Sequence, residues 1–245
     1  MSLQSGYIGA MGSSLYTNSS IPQHSLGAKC TDGAGREFRY VKTSAAIAAG
    51  KLVGTYTENA TEHSLAPQAA AAIGATSVSI TTGGTITANA YEGGYLVVTN
   101  TPGEGIAYEI SHHAGRTGSG TLVFYLKDPI KVALTTAASK IDLVPNPYAG
   151  VMTWVDGSGT ETGVPVGVTT YALDSGYYGW VCVHGAASCL ADGTLTIGHG
   201  VVASDAADGA VEVAVAASTE ALCPVGYALT TGATGEYPAI FVTIG

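Results

Sequence analysis

"VPVGVTTYALDSGYYGWVCV" (residues 164–183) returns near the C-terminus in a fainter form, "CPVGYALTTGATGEYPAIFV" (223–242). Slid along by 59 positions without a gap, Pro165 falls on Pro224, Val166 on Val225, Gly167 on Gly226, Gly176 on Gly235, Tyr178 on Tyr237 and Val183 on Val242. A proline has no N–H to give to a sheet, so it is tolerated only on an edge or at the start of a strand. Each Pro-Val-Gly therefore reads as a strand beginning. Gly176 and Gly235 then supply the turn, where a residue without a Cβ turns the chain at least cost. Tyr178 or Tyr237 follows, and an apolar run finishes the unit. Every one of these residues has a backbone or packing reason to be present, and none brings a reactive group. The repeated set (Pro165, Gly167, Gly176, Tyr178 and Pro224, Gly226, Gly235, Tyr237) is read as scaffold, two strand–turn–strand units around one core.

The rest of the chain is punctuated in the same way. "REFRYVKTSAAIAAGKLVGTYT" (36–57) gives an alternating strand, a turn at Gly50 and a second strand. Within it, Ile47-Ala-Ala-Gly-Lys-Leu52 resembles Leu190-Ala-Asp-Gly-Thr-Leu195, which ties this segment to the C-terminal strands. Residues 63–145 are then an insertion. In it, 76–88 reads as a hairpin around Gly83-Gly84, and 94–113 as a hairpin reversed by Pro102-Gly103. "TLVFYLKDPIKVAL" (121–134) reads as a buried strand broken at Pro129, and 65–74 leaves room for one short helix. "VPNPYAG" (144–150), with two prolines, marks the boundary. Short strands at spacings of about eight to ten residues across 185–216 suit a sandwich or small barrel. The expected fold is all-β: a β-sandwich or small barrel from 29–62 plus 146–245, an inserted β domain at 63–145, and an extended N-terminal arm at 1–28.

That arm holds no Asp, Glu, Lys or Arg, and its apolar residues Leu3, Tyr7, Ile8, Leu15 and Tyr16 follow no period. Two readings stand: a solvated terminus, or an arm ordered across a neighbouring subunit, with these five side chains as its contacts.

Composition narrows the function. Charged residues are 11% of the chain, against about 25% in an ordinary globular domain, and 34 glycines make a smooth, neutral surface suited to being covered by other subunits. Net charge is −9 with nine Lys and Arg, which argues against nucleic acid as a partner, since that requires cations on phosphates. No stretch reaches the roughly 20 apolar residues of a membrane helix, and the first residues have neither the basic start nor the apolar run of a signal peptide. Cys30, Cys182, Cys189 and Cys223 lack the C-x-x-C spacing of a zinc site and are read as buried thiols in preference to disulfides or ligands.

The usual signatures of chemistry do not assemble. His112 and His113 are adjacent on a strand and point to opposite faces, so they do not share a metal. His184 and His199 stand singly in glycine-rich strands. "DGSGTETG" (156–163) starts like a calcium loop at Asp156, Ser158 and Thr160, but its twelfth position is Gly167 where a bidentate Glu is required. No nucleophile elbow, phosphate loop or H-E-x-x-H helix is present. No catalytic residue, cofactor or metal is expected.

The order of pieces carries a resemblance. "YVK…AAIAAGKLV", "GGYLVVTNTPGEGIAYEI", "DPIKVALTT", "VPNPYAG" and "GYYGWVCVHGAASCLADGTLTIGHGVV…PVGYAL…GEYPAIFVTIG" together resemble the head decoration (cement) proteins of tailed bacteriophages, over residues 29–245. The resemblance implies a β-rich virion structural protein, made in the host cytoplasm and bound as a trimer to the outer surface of an icosahedral head, with the major capsid protein and further copies of itself as partners. It implies no catalytic residues. The alternative is a tail- or fibre-associated adhesion or carbohydrate-binding module, for which Tyr91, Tyr95, Tyr177 and Tyr178 are the candidate aromatics. A secreted β-rich hydrolase is the third and least favoured class.

Overall fold

The computed structural model describes residues 7–8, 15–56, 59–155, 163–214 and 223–245. Leu3 and the loop with Asp156, Ser158 and Thr160 lie outside them. The chain is all-β and forms two compact units, one from 1–58 with 147–245 and the other from 59–146.

In the first unit, strands β3 (Glu37–Thr43), β10 (Ala149–Thr153), β4 (Leu52–Gly54), β11 (Pro165–Thr169) and β12 (Tyr178–Ser188) pair in that order. A further β12–β3 ladder, Tyr178 opposite Lys42 to His184 opposite Glu37, closes them into a barrel. Closure leaves no free sheet edge within the ring. The second half of β12 then starts another ring. It pairs with β17 (Ala239–Thr243), which pairs with β16 (Pro224–Ala228), then β14 (Gly200–Ala203), then β15 (Ala210–Val213). The last pairs with β13 (Leu190–Ala191), which continues β12 after Cys189. Two barrels thus share one long strand.

The repeat in the sequence is the repeat of these barrels, and it extends to the ladders. Val168 opposite Cys182 and Thr169 opposite Val181 in the first barrel become Tyr227 opposite Phe241 and Ala228 opposite Ile240 in the second. Both Pro-Val-Gly phrases sit at a register shift, where Pro165 and Gly167 span one step of β4, and Pro224 and Gly226 span one step of β14. Each glycine allows close strand approach: a Cβ on Gly167 would lie 2.8 Å from the Cys182 carbonyl oxygen, and one on Gly226 only 1.9 Å from that of Phe241. Each proline is the first residue of its strand. Gly176 and Gly235 have φ of 75° and 84°, the left-handed turn conformation.

The interiors repeat as well. Val41, Ile47, Val53, Val151, Val166, Val181 and Val183 fill the first barrel. Cys189, Leu195, Val201, Val211, Val225, Ile240 and Val242 fill the corresponding places in the second. Two units around one core was the expectation: Val168, Trp180 and Cys182 of the first do join Val225, Ala228, Ile240 and Val242 of the second in one buried cluster, while Val166, Val181 and Val183 of the first pack in a separate interior. The second echo is also re-registered. Ile47 bridges Leu173 and Leu195 bridges Gly232, so Ile47 corresponds to Leu195 and Gly50 to Gly198, not Ile47 to Leu190. Gly193 shares with Gly50 only the residue type of a turn, not its place in the ladder.

The second unit is an antiparallel sheet in the order β5 (Ser77–Thr82), β8 (Gly120–Leu126), β7 (Ala107–His113), β6 (Tyr95–Asn100), β9 (Lys140–Val144). Leu65 bridges Ile141 and Pro67 bridges Ile80, so residues 65–67 join the two outer strands. The 94–113 hairpin forms as β6–β7. The hairpin at Gly83-Gly84 does not: β5 pairs with β8, and Ile86 instead bridges Arg116. A Cβ on Gly83 would lie 2.5 Å from the Thr61 carbonyl oxygen, so this glycine serves a close approach, not a two-residue reversal. The helix allowed at 65–74 is absent; a short 3-10 turn lies upstream at Ala60–Glu62, capped by Asn59.

The arm is corrected too. Residues 15–28 belong to the first unit. Leu15 is 2% exposed and packs in the chain's own core beside Phe38 and Tyr40, so it is not a contact for another subunit. The backbone of β1 (Tyr7–Ile8) pairs with β2 (Lys29–Thr31), itself paired to β3, so this stretch also belongs to the chain's own sheet. Ser19 exchanges two backbone hydrogen bonds with Tyr178, at 2.9 and 2.8 Å. His24 lies edge-on to Tyr40. Apolar spacing in an irregular segment follows pockets, not a period, which is why no pattern announced it.

Candidate interaction surfaces

None of the four cysteines is in a disulfide; Cys30, Cys182 and Cys189 are buried and Cys223 is half-buried. Burial pushes the Cys182 thiol up to about 11 and that of Cys189 to about 12. At pH 8 the native protein is therefore expected to react with a thiol reagent at Cys223 alone. The two raised thiols should react at least about 100-fold more slowly, as their thiolate fraction dictates. Rapid modification of either would contradict the burial described.

Among the described residues no group of three His, Cys, Asp or Glu gathers as a metal would need. No helix there is long and apolar enough to cross a membrane. His112 and His113 do point apart. His112 is exposed and stacks on Tyr125, with centroids 4.4 Å apart and planes 3° from parallel. His113 is 2% exposed; its Nδ1 donates to the Ala114 carbonyl at 2.9 Å and its Nε2 accepts the Tyr91 N–H at 3.0 Å. That pairing requires the neutral ring, and burial lowers its pKa. His24 is lowered for the same reason.

The sign of the linkage follows. The unfolded imidazole takes up a proton near its ordinary pKa of about 6.5 and the folded one resists it, so the unfolded chain binds more protons below that pH. This stability is complete above about 6.5 and is lost as pH falls toward the folded values. The melting temperature should drop between pH 7 and pH 5, and the drop should be smaller in His113→Gln. A flat profile across that window would refute it.

Two surfaces remain as candidates for binding. The first is a depression of about 280 Å³ lined by Tyr16, Arg36, Gly50, Thr170, Ser188 and Tyr237. Arg36 Nε donates to Asp32 at 2.6 Å and its Nη2 to the Tyr16 hydroxyl at 2.9 Å. Burial opposes the charge on Asp32, but the hydrogen bonds from Arg36 outweigh it and lower its pKa. The Tyr237 ring lies on Gly50, where a Cβ would be 2.6 Å from it. Tyr16 and Tyr237 are each about half exposed. Among the expected arm contacts whose side chains are described, Leu15 and Tyr16, Tyr16 thus shows an accessible ring. Arg36 and Tyr237 went unread as partners because they meet only through the junction of the two barrels.

The second is the outward face of the inserted sheet. In β8, Leu122, Phe124 and Leu126 point inward and Thr121, Val123 and Tyr125 outward. A sheet face left to water is ordinarily polar. Here Val123, Tyr125 and Tyr95 are 37%, 44% and 41% exposed, with the Lys127–Glu109 ion pair beside them. The four tyrosines named for glycan binding do not share one face. Tyr91 is buried in the insert, Tyr95 is exposed there, and Tyr177 and Tyr178 belong to the other unit, where Tyr178 stacks on Tyr40.

Comparison with protein-family models, with characterised proteins and with solved structures returned no match.

Proposed function

We propose that this chain is a structural protein of a tailed-phage virion, a decoration protein that docks on the outer surface of the head. The observation that carries the reading is the outward face of β8, where valine and tyrosine stand in the open on a regular sheet. Exposed apolar side chains on a flat face mark a protein contact more often than a small-molecule pocket. The low charge of the chain supports a surface that lies close to another protein, and the resemblance of its segments to cement proteins supplies the partner, the major capsid protein. Several copies touching one shell make each further contact effectively intramolecular, so modest faces of about 800 Å² suffice.

Co-sedimentation with purified phage heads tests this. The wild type is expected to saturate its sites. Tyr125→Glu with Val123→Glu should lower affinity by about tenfold or more, equivalent to 1.4 kcal/mol, with the melting temperature unchanged because both side chains are exposed. Equal occupancy by the variant, or no binding by the wild type to any head, overturns the proposal.

A second reading rests on the depression. Two half-exposed tyrosine rings beside a guanidinium suit a sugar ring with a negative group. Under that reading Tyr237→Ala abolishes a glycan-array signal that the β8 variant retains.

A further inference from the structure

The depression beside Gly50 holds two groups that the barrel itself does not explain. The first is Arg36, whose side chain is 22% exposed. Its Nε donates to one oxygen of Asp32, and the other oxygen accepts the Ala34 and Arg36 backbone N–H groups at 2.9 Å each. Asp32 is thus pinned, and it orients the guanidinium and offsets its charge. Nη2 donates to the Tyr16 hydroxyl, and the Nη1 N–H groups have no partner among the described residues.

The second is Thr170, whose hydroxyl oxygen is buried with no hydrogen-bond partner among the described residues. Its neighbour Thr169 commits its own hydroxyl to the fold, donating to the Ala48 carbonyl at 2.7 Å and accepting the Lys51 N–H at 2.9 Å. At the next position the barrel needs no hydroxyl, since Leu229 stands 59 residues on from Thr170 in the second copy. The matched tyrosines differ too. Tyr178 stacks on Tyr40 and is held by Ser19, whereas Tyr237 is 49% exposed beside Gly50.

We propose that this depression seats one sugar residue that carries a carboxylate, a hexuronate, within an otherwise neutral glycan. The inference rests on the glycan reading of the depression and is independent of shell docking, which uses the inserted sheet. A guanidinium held by Asp32 along one edge still offers N–H donors in the planar fork that a carboxylate accepts. The half-exposed rings of Tyr16 and Tyr237 offer flat apolar faces to the C–H side of a pyranose. Turning the Thr170 hydroxyl toward a ligand breaks no bond, because it makes none. A volume of about 280 Å³ lies just under the range of about 300–1,000 Å³ for drug-sized ligands, which suits a single ring. The net charge of −9 repels polyanions, so one acidic residue among neutral ones is the better partner.

The test follows the amide chemical shifts of Gly50 and Tyr237 while the full chain is titrated with methyl glucuronide, methyl glucoside or acetate. The glucuronide should bind, and the other two should bind at least about tenfold more weakly, the worth of one charge-assisted hydrogen bond. Arg36→Lys keeps the charge but loses the fork, and should weaken the glucuronide by about tenfold. Thr170→Val should weaken it by about threefold or more while the melting temperature stays level or rises, because the fold loses no hydrogen bond. Thr169→Val should instead lower the melting temperature. Equal affinity for glucoside and glucuronide overturns the carboxylate seat and leaves the glycan reading standing. Acetate binding as tightly as the glucuronide, or no shift with any of the three, overturns both. A Thr170→Val protein that binds the glucuronide normally, or that melts lower, assigns the hydroxyl to the scaffold and counts against the seat.

Discussion

Gly226→Ala is expected to prevent the second barrel from closing. The added Cβ would stand 1.9 Å from the Phe241 oxygen and 2.9 Å from its carbonyl carbon. Both atoms belong to the strand paired with Gly226, so no side chain can move aside to relieve the clash. Overpacking usually costs 1–3 kcal/mol; a clash with backbone belongs above that range, at about 4 kcal/mol. At roughly 2–4 °C per kcal/mol for a chain of this size, the melting temperature should fall by about 10 °C or more. Gly167→Ala meets the Cys182 oxygen at 2.8 Å and should cost less, about 2 kcal/mol. Thermal melts of the two variants check the order; a milder effect at Gly226 than at Gly167 would mean that the second barrel accommodates the change by shifting register.

Removing residues 1–28 should be more damaging still. The deletion takes Leu15, His24 and Ala28 from the core, and with Ala28 and Gly27 the backbone partners of Tyr40. It also uncovers Trp180, against which His24 packs at 5.3 Å. A buried leucine alone is worth about 2–5 kcal/mol when cut to alanine, and the whole stability of a domain is about 5–15 kcal/mol. The truncated chain is therefore expected to be largely unfolded at room temperature, seen as a lost tryptophan emission shift and slow amide protection. Leu15→Ala gives the graded version, with an expected loss of about 3 kcal/mol. A truncated chain that melts like the full one would refute the assignment of this segment to the fold.

The contrast between these two segments shows what the residues make legible. The repeated Pro-Val-Gly phrase could be read because its constraint is local: a proline at a strand start and a glycine under a crossing carbonyl need the same residue types wherever they recur. The reversal at Pro102-Gly103 is local as well, whereas 121–134, read as a continuous buried strand, is strand only to Leu126 and alternates, leaving Thr121, Val123 and Tyr125 exposed. The cap could not be read, since Leu15 and His24 answer to Phe38, Tyr40 and Trp180, which no period in residues 1–28 encodes. Glycine also misled at Gly83-Gly84, where its small size admits the Thr61 backbone while the sequence alone suggested a turn. The depression lined by Arg36 and Tyr237 was hidden for a related reason: its walls come from two barrels joined through one strand.

The strand Tyr178–Ser188 is a stave of both rings. A stave held in common cannot leave one ring and stay in the other without stranding part of its hydrogen-bonding groups, so the two cores should melt or be pulled open as one event. A tug on either barrel is thereby spread across the pair, a property that would serve the proposed place on a phage head.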